Sequence, residues 1–419
     1  MEEKFIGYEC SVCGQEYSLN ENIDYVCPKD GGNLNVLLDY KEIKNKYQIS
    51  DIVSQTEISM WRYLPLLPVS DPGYEFTPFR NVGYTANYFP TNLSKKYGFK
   101  QLWVKDESKN PTASFKDRAS ALVLARAKEI KADVVVTAST GNAGAALAGM
   151  AASVGHKAVI FAPKTAPVAK VAQLLVFGAE VILVDGNYDQ AFDLSLRAAE
   201  EFGWYCRNTG FNPFTAEGKK TAAFEIWESI IIGNKINDKP INIFVSVGDG
   251  NIISGIHKGF IDLYKLGWLD LMPRIFGVQA EGSAAISNAF IAGNEIINPV
   301  SASTIADSIS VDLPRDGLRA LRASTQTNGS YILVEDKEIL SAIAELGVEG
   351  IFAEPAGATS FAGFKKAINL DLIQPDEPVV ILNTGSGLKD INSAMKAVPE
   401  ANIIDPTFDA LISYINAKK

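Results

Sequence analysis

Short apolar runs rich in β-branched residues alternate with helix-like stretches along most of the chain. DVVVTA is followed by GAALAGMAASVG, KAVIFAP by APVAKVAQLLVFGA, and INIFVSVG by NIISGIHKGFIDLYKLG. Apolar strands separated by helices are typical of parallel sheets that helices cover on both faces. The pattern therefore predicts an α/β protein. In such proteins ligands bind at the carboxyl ends of the strands, where the connecting turns lie.

The length and charge of the chain limit its domain organisation and its partners. A chain of 419 residues is too long for one ordinary core and indicates two or three domains. The net charge of −10 does not favour nucleic acid as a partner. The charged start Met1–Phe5 has no apolar segment behind it, and the longest apolar runs are too short for a membrane span. We therefore expect a cytoplasmic protein without a membrane partner.

Three turns that follow predicted strands are rich in glycine and small polar residues. In Val245–Gly255, two glycines precede a helix, so backbone amides could hold a phosphate, although an ordinary tight turn explains the pattern equally well. Ser139, Thr140 and Asn142 could bind a carboxylate or a phenolic oxygen, although a helix cap is the simpler interpretation. In NTGSG, the hydroxyl of Thr384 could bond a ring nitrogen, and a plain turn is again the simpler interpretation.

A lysine stands where a helix start disfavours a positive charge. The pattern Ser114-x-x-Asp117 before ALVLARAKEI predicts a capping box, with Ser114 as N-cap and Asp117 bonding back to it. Lys116 then lies in the first turn, against the positive end of the helix dipole. Such a position disfavours the charged form of an amine and leaves the neutral nucleophile.

The lysine and the three turns together match the needs of pyridoxal phosphate (PLP). This cofactor carries an aldehyde, a phosphate and a pyridine ring, so it requires a Schiff-base lysine, an anion site and a partner for the ring nitrogen. A surface lysine is the ordinary alternative for Lys116, but it explains nothing about the neighbouring turns. We therefore predict a PLP enzyme with Lys116 as the cofactor lysine.

At these residues the sequence resembles the fold type II PLP enzymes, in the branch of the threonine synthases. The matching segments are NPTASFKDR, STGNAG, RNTGFNPFTAEGKKT, VGDGN, EPAGA and TGSGLKD. The resemblance implies a fold similar to the β chain of tryptophan synthase, with two domains that contain parallel sheets. The larger, PLP-binding domain would comprise 41–120 and 215–419, and the smaller 121–214. A zinc-ribbon-like unit of 1–40 would precede them.

The resemblance also implies a role for each matching residue. Lys116 would be the Schiff-base lysine and proton shuttle, with Ser114 near the reacting centre. The other cofactor-binding residues would be Asn142 at the phenolic oxygen, Thr384 at the pyridine nitrogen, and Gly248, Asp249, Gly250 and Asn251 at the phosphate. The implied substrate is a small amino acid, O-phosphohomoserine, which water converts to threonine and phosphate. A homodimer is expected from the same resemblance.

Three departures from the family pattern concern the substrate. Ser139 and Thr140 match the turn that binds the substrate carboxylate, but Ser386 replaces an expected histidine in TGSGLKD and Thr215 replaces an arginine that binds the substrate phosphate in some members. Asp249 puts a carboxylate beside the predicted phosphate site. A threonine or serine dehydratase, or a replacement enzyme that acts on another activated amino acid, is therefore the alternative. A non-catalytic protein with the same fold would lack PLP.

The N-terminal segment contains the spacing of a metal knuckle. Cys10-x₂-Cys13 and Cys27-x₂-Asp30 match a zinc ribbon whose last ligand is aspartate. A bound structural zinc ion and a decayed ribbon without metal explain this form equally well. Either way, we expect the unit to be structural, with no connection to the PLP site.

Overall fold

The computed structural model describes residues 4–21, 23, 25–236 and 238–418, and its strands form three sheets. The strands are β1 Phe5–Cys10, β2 Glu16–Ser18, β3 Leu34–Leu38, β4 Asn87–Tyr88, β5 Leu102–Asp106, β6 Val134–Ala138, β7 Lys157–Pro163, β8 Glu180–Val184, β9 Tyr205–Cys206, β10 Asn242–Ser246, β11 Arg274–Ala280, β12 Tyr331–Val334 and β13 Val379–Asn383.

Sixteen α-helices lie in the described ranges. They are α1 Tyr40–Lys46, α2 Ile49–Val53, α3 Thr91–Tyr97, α4 Lys116–Glu129, α5 Asn142–Ser153, α6 Val168–Val176, α7 Tyr188–Phe202, α8 Phe214–Lys219, α9 Thr221–Ile226, α10 Asn251–Leu266, α11 Ala285–Ala292, α12 Gly317–Thr325, α13 Asp336–Val348, α14 Pro355–Asn369, α15 Ile391–Lys396 and α16 Phe408–Ala417. A π-helical segment, Trp227–Ile232, follows α9, and five short 3₁₀ segments complete the helical structure.

The largest sheet has six strands in the order β12-β11-β10-β13-β5-β4. All neighbours are parallel except the edge pair β4 and β5. Every residue of the central strands β10 and β13 is buried, which explains why these strands are apolar without alternation. The sheet is built from residues within the predicted ranges 41–120 and 215–419, and its parallel strands confirm the α/β prediction.

A second sheet of four parallel strands has the order β8-β7-β6-β9. Its strands all lie within the predicted range 121–214. Helix α4, however, continues from Lys116 to Glu129 without interruption, so the proposed division at residue 120 falls inside a helix. The body of α4 packs against α5 beside this second sheet and against α8.

The N-terminal unit is an antiparallel sheet of three short strands in the order β2-β1-β3. Its apolar residues join the same buried cluster as α4, α8 and α10, and Phe5 contacts Phe214 edge to face with ring centroids 5.7 Å apart. This unit is therefore packed onto the body of the molecule. Of the helices in the described part of the chain, none combines the length and apolar character that a membrane span needs.

Candidate active site

The segment before Lys116 is fixed by backbone hydrogen bonds to the turn after β13. The amide of Phe115 donates to the carbonyl of Thr384 (2.9 Å), and the amide of Ser386 donates to the carbonyl of Ala113 (3.1 Å). The turn is bonded in the same way to the start of α14, where the amide of Glu354 donates to Gly385 (3.0 Å). Three of the matching sequence segments, NPTASFKDR, EPAGA and TGSGLKD, therefore meet at one place.

The predicted capping box at Ser114 is wrong. Ser114 forms a β-bridge with Gly385, and the N-cap position of α4 is Phe115, which makes no side-chain hydrogen bond. Its buried Oγ has no hydrogen-bond partner among the described residues. Asp117 instead accepts hydrogen bonds from the amide of Thr112 (2.6 Å) and from its hydroxyl. The hydrogen bonds between Asp117 and Thr112 thus fix the first turn of α4. The Ser114 hydroxyl, two residues before Lys116, has no hydrogen-bond partner among the described residues.

Lys116 begins α4, as its place in the sequence predicted. In the described structure its Nζ has neither a hydrogen bond nor an ion pair. Burial lowers the pKa of Lys116 and the charge of Arg207 lowers it further, whereas Glu354 and Asp249 oppose this change. The amine therefore loses its proton more readily than an exposed lysine, as a nucleophile and proton carrier requires.

Asn142 and Glu354 meet across a cleft between the two parallel sheets. The Asn142 amide nitrogen Nδ2 lies 2.9 and 3.0 Å from the two carboxylate oxygens of Glu354. Burial raises the pKa of Glu354, and the bond from Asn142 limits that rise. A cavity of about 120 Å³ lies here, and Thr140, Asn142, Glu354 and Lys389 are among its lining residues. Glu354 at once precedes α14, with Pro355 in its first turn, and faces the cleft.

The predicted phosphate turn lies directly before a long helix. Gly250 has a φ of 92°, which favours glycine, and Asn251 begins the 16-residue helix α10. The amide-rich positive end of a long helix therefore opens directly after the turn. The carboxylate of Asp249 accepts from the amide of Arg315 (3.2 Å), while its carbonyl accepts from Asp316 (2.9 Å). This bond holds the Asp249 carboxylate on the segment that precedes α12.

The predicted substrate-binding residues lie in different surroundings. Ser139 accepts from the amide of Gly141 (3.2 Å), in the turn that carries Thr140. Ser386 accepts from the amide of Leu388 (3.3 Å). The hydroxyl of Thr215 is buried and donates to the carbonyl of Asn212 (2.7 Å). Their part in substrate binding stays a prediction, and for Thr215 it would require that this local bond be exchanged.

Two buried cations near Lys116 were not singled out from the sequence. Arg207 follows the short strand β9, and Lys219 ends α8. Burial lowers the pKa of Arg207 to about 10 and that of Lys219 well below its ordinary value. Both belong to the segment RNTGFNPFTAEGKKT. One signal could have indicated Arg207, namely that a charged residue stands directly after a buried strand.

The N-terminal knuckle brings its four predicted metal ligands together. The donor atoms of Cys10, Cys13, Cys27 and Asp30 all lie within 4.8 Å of one another. The sulfurs of Cys13 and Cys27 are 3.9 Å apart, and that of Cys10 is 3.3 Å from the Asp30 carboxylate. Tetrahedral zinc with Zn–S bonds of about 2.3 Å separates two sulfurs by about 3.8 Å. The arrangement therefore fits a zinc ion.

The expectation that nothing connects the knuckle to the active site is wrong. Arg319 donates from Nη1 to the carbonyl of Leu34 (3.0 Å), at the start of β3, and pairs with Asp316 through Nε and Oδ1 (2.6 Å). Asp316 in turn accepts from Nδ2 of Asn251 (2.8 Å), and Asn251 accepts from Lys219 (2.7 Å). Side-chain hydrogen bonds therefore run without a gap from the knuckle to the phosphate turn.

Comparison with known proteins identifies this constellation. Residues 79–385 match the family model described as pyridoxal-phosphate dependent enzyme. The chain belongs to that family. The lysine without a hydrogen-bond partner, the glycine turn at the start of α10 and the buried unpartnered hydroxyl of Ser114 are the features that a phosphorylated aldehyde cofactor would use, so the residues present fit PLP.

Two relatives resemble the whole chain. It is 39% identical to the threonine synthase of Methanocaldococcus jannaschii over 93% of this chain and 95% of that protein. It is 37% identical to the threonine synthase of Methanosarcina acetivorans over 98% of both. This identity and coverage place the chain among the threonine synthases and confirm the resemblance drawn from its motifs.

Solved structures confirm the fold. Threonine deaminase isoform 2 from Solanum lycopersicum superposes with a TM-score of 0.64, at 22% identity, over 81% of this chain and 92% of that one. Maize serine racemase superposes with a TM-score of 0.61, at 22% identity, over 80% and 92%. The chain therefore has the α/β fold of the fold type II PLP enzymes.

Proposed function

We propose that this PLP-dependent lyase converts O-phosphohomoserine and water to threonine and phosphate. The single observation that carries the proposal is the 39% identity with a threonine synthase over 93% of the chain. The site supports it, because an amine without a hydrogen-bond partner, an anion-binding helix start and a cleft between two sheets are the parts that this reaction needs.

Lys116 is proposed to carry the protons of the reaction. PLP, when bound, supplies an aldehyde for the substrate amine and a conjugated ring that takes up electron density from the substrate carbons. The neutral Nζ of Lys116 would remove one proton from Cα and one from Cβ as phosphate leaves Cγ. The amine would then return a proton to Cγ, water would add its hydroxyl at Cβ and give up its other proton to the departing phosphate, and Cα would be protonated again. The lowered pKa of Lys116 keeps one amine able to act as base and as acid in turn.

The surrounding residues are proposed to orient the cofactor. Asn142 would donate to the phenolic oxygen and so exchange its present partner, Glu354. Thr384, buried at the end of β13, would offer a neutral hydroxyl to the pyridine nitrogen. Ser114 would bond within the reacting centre, where its hydroxyl finds an otherwise missing partner. The amides of 248–251 would hold the cofactor phosphate.

A substrate panel on the purified protein tests the function. Phosphate and threonine should appear in equal amounts from O-phosphohomoserine, whereas threonine and serine should yield no keto acid. Keto acid from threonine or serine without phosphate release would instead identify a dehydratase. Lys116→Ala should lose the yellow absorbance that depends on the lysine together with activity, and a variant that keeps both would exclude Lys116 as the cofactor lysine.

We further propose structural zinc in the knuckle and a homodimeric assembly. The fit of four donor atoms to tetrahedral geometry supports the metal. Exposed apolar side chains near the C-terminus support an assembly, since α16 has no buried residue and Ile403 and Phe408 are 97% and 74% exposed. The cytoplasmic location and the absence of a nucleic-acid partner stay predictions from the sequence.

A further inference from the structure

Arg207 is a buried cation that no described carboxylate contacts. Its side chain is fully buried. Nε donates to the hydroxyl of Ser120 (3.2 Å) and Nη1 to that of Thr209 (2.7 Å), so both partners are neutral. Nη2 is buried and has no hydrogen-bond partner among the described residues. A guanidinium left in this way has lost its water without gaining a counter-charge.

Lys219 is likewise a buried cation without a carboxylate partner among the described residues. It is 1% exposed, and its Nζ donates to the amide oxygen of Asn251 (2.7 Å), which is again neutral. No carboxylate of the described residues forms an ion pair with it. The nearby Asp316 pairs with Arg319, and Asp249 bonds to the amide of Arg315.

The other deeply buried cations in the described part of the chain are paired with carboxylates. The other described lysines and arginines that are at most 2% exposed each contact a carboxylate: Arg62 with Glu228, Lys105 with Glu225, Arg118 with Glu107 and Glu225, and Lys220 with Asp262. Burying a charge without a partner is costly, so buried charges are normally paired. Arg207 and Lys219 are exceptions whose counter-charge is absent from the described chain.

Both exceptions adjoin the active site. Ser120, which binds Arg207, lies one helical turn after Lys116 and therefore on the same face of α4. Lys219 binds Asn251, the first residue after the phosphate turn. The charges of Arg207 and Lys116 lower the pKa of Lys219 further, which shows that the three cations lie within Coulombic range of one another.

The position of Lys219 also bears on the departure at residue 215. An arginine was expected there for the substrate phosphate, and the chain has Thr215. Lys219 lies four residues later on α8, so it extends from the same helix face one turn further on. A cation is therefore available next to the place where the expected one is missing.

We propose that Arg207 and Lys219 together bind the phosphate group of the substrate, while the turn at 248–251 takes the phosphate of the cofactor. The inference rests on the proposed function, because it names the subsite of that substrate. A phosphate dianion supplies the two negative charges that the two cations lack, and several acceptor oxygens for the free Nη2. Inorganic phosphate, the proposed product, should bind at the same place.

Phosphate binding to the holoenzyme tests the assignment. Calorimetric titration with inorganic phosphate should show binding to the wild type and about 10- to 100-fold weaker binding to Arg207→Met and to Lys219→Met, the range for a lost hydrogen bond to a charged group. The visible absorbance and the Kd for PLP should stay within about threefold of wild type. Unchanged phosphate affinity would overturn the proposal. A large loss of PLP affinity instead would assign the two cations to the cofactor phosphate and equally overturn it.

Stability without phosphate separates a ligand-binding role from a structural one. Because neither cation has a carboxylate partner among the described residues, Arg207→Met and Lys219→Met should melt at or above the temperature of the wild type in phosphate-free buffer. Added phosphate should raise the melting temperature of the wild type but not of Arg207→Met or Lys219→Met. Lys220→Met is the matched control, since the neighbouring Lys220 pairs with Asp262 (2.7 Å), and it should lose stability with or without phosphate. A loss in Arg207→Met as large as in Lys220→Met would indicate a structural cation.

Turnover distinguishes failure of this inference from failure of the proposed function. A wild type that forms no threonine from O-phosphohomoserine, but binds phosphate through both cations, would refute the reaction and keep the anion site. Threonine formation with an unchanged KM in both variants would keep the reaction and refute the anion site. The expected result is threonine formation with a KM raised about tenfold or more in each variant.

Discussion

Arg319 and Asp316 form a bidentate ion pair at the start of α12, with Nε–Oδ1 and Nη2–Oδ2 separations of 2.6 and 2.8 Å. The same arginine donates to the carbonyl of Leu34 in strand β3 of the N-terminal unit, and the same aspartate accepts from Asn251 after the predicted phosphate turn. One pair of side chains thus joins two parts of the chain that its sequence separates by more than two hundred residues.

Arg319→Ala should weaken PLP binding. Loss of the guanidinium leaves Asp316 without its counter-charge, so Asp316 holds Asn251 less firmly at the start of α10. We expect the Kd for PLP to rise about tenfold, as for one charge-assisted hydrogen bond. Titration of the apoprotein with PLP, followed by visible absorbance, measures this. Arg322→Ala removes a neighbouring arginine that pairs with Glu295 and also donates to the carbonyl of Ser11. Because Arg322 bonds to neither Asp316 nor Asn251 in the described structure, this variant should leave the Kd unchanged; an equal effect in both variants would contradict a specific role for Arg319.

Removal of zinc from the knuckle should also weaken PLP binding. The purified protein should contain about one zinc ion per chain, and Cys13→Ser should lose it. Because β3 is anchored to Arg319, loss of the metal should loosen the phosphate turn and raise the Kd for PLP. Metal analysis and PLP titration check both effects, and added zinc should restore the wild type after chelation. Cys206→Ala, a buried cysteine outside the knuckle, should keep its metal. A zinc-free wild type with normal PLP affinity would support the decayed ribbon.

Ionisation of Asp117 should lower the free energy of unfolding as the pH rises towards neutrality. Burial raises the pKa of Asp117 to about 7, from an ordinary 3.8. The folded state therefore holds this proton more tightly than the unfolded state. Its contribution to stability is complete below about pH 4 and is lost as the pH rises through about 7.

Asp117→Asn should reduce the fall in unfolding free energy between about pH 4 and 7. Chemical denaturation across that range provides the measurement. Asp376→Asn is a suitable comparison, because its ion pair with Lys239 lowers the pKa of Asp376, so the sign of its effect is opposite. An identical pH profile for the wild type and Asp117→Asn would contradict the raised pKa.

Arg118→Met should be the most destabilising of these substitutions. It leaves the buried carboxylates of Glu107 and Glu225, which contact Arg118 at 2.7 and 2.5 Å, with one cation fewer. Breaking such a buried pair costs about 3–5 kcal/mol. Lys239→Met, from an exposed pair with Asp376, should cost much less, because solvent screens that pair. Denaturation of both variants at neutral pH compares them, and similar losses would contradict the difference in burial.

The sequence predicted the fold and the parts of the site that local patterns carry. Apolar strands between helices correctly indicated parallel sheets, and the motifs around Lys116 and Thr384 indicated a PLP enzyme that the comparisons confirm. The place of Lys116 in the first turn of α4 was predicted correctly, although the capping box that was expected there does not form.

The failures concern contacts between distant residues. Ser114 does not cap α4, because Gly385, far along the chain, pairs with its backbone. Arg207 and Lys219 were not predicted as site residues, because the sequence does not show whether a carboxylate pairs with a buried cation. The partners of such pairs can lie far apart in the chain, as Lys105 and Glu225 do at a separation of 120 residues. The bond between Leu34 and Arg319 likewise has no local signature.

Helix α4 gives the site a mechanical property. Its first turn is tied to the turn after β13 of the large sheet, and its body lies against α5 beside the small sheet. Helix α4 thus connects the two halves of the cleft, and Lys116 lies at the end of the helix that is bonded to the large sheet. Because one helix contacts both halves of the cleft, any change in their relative position would also move the backbone that carries Lys116.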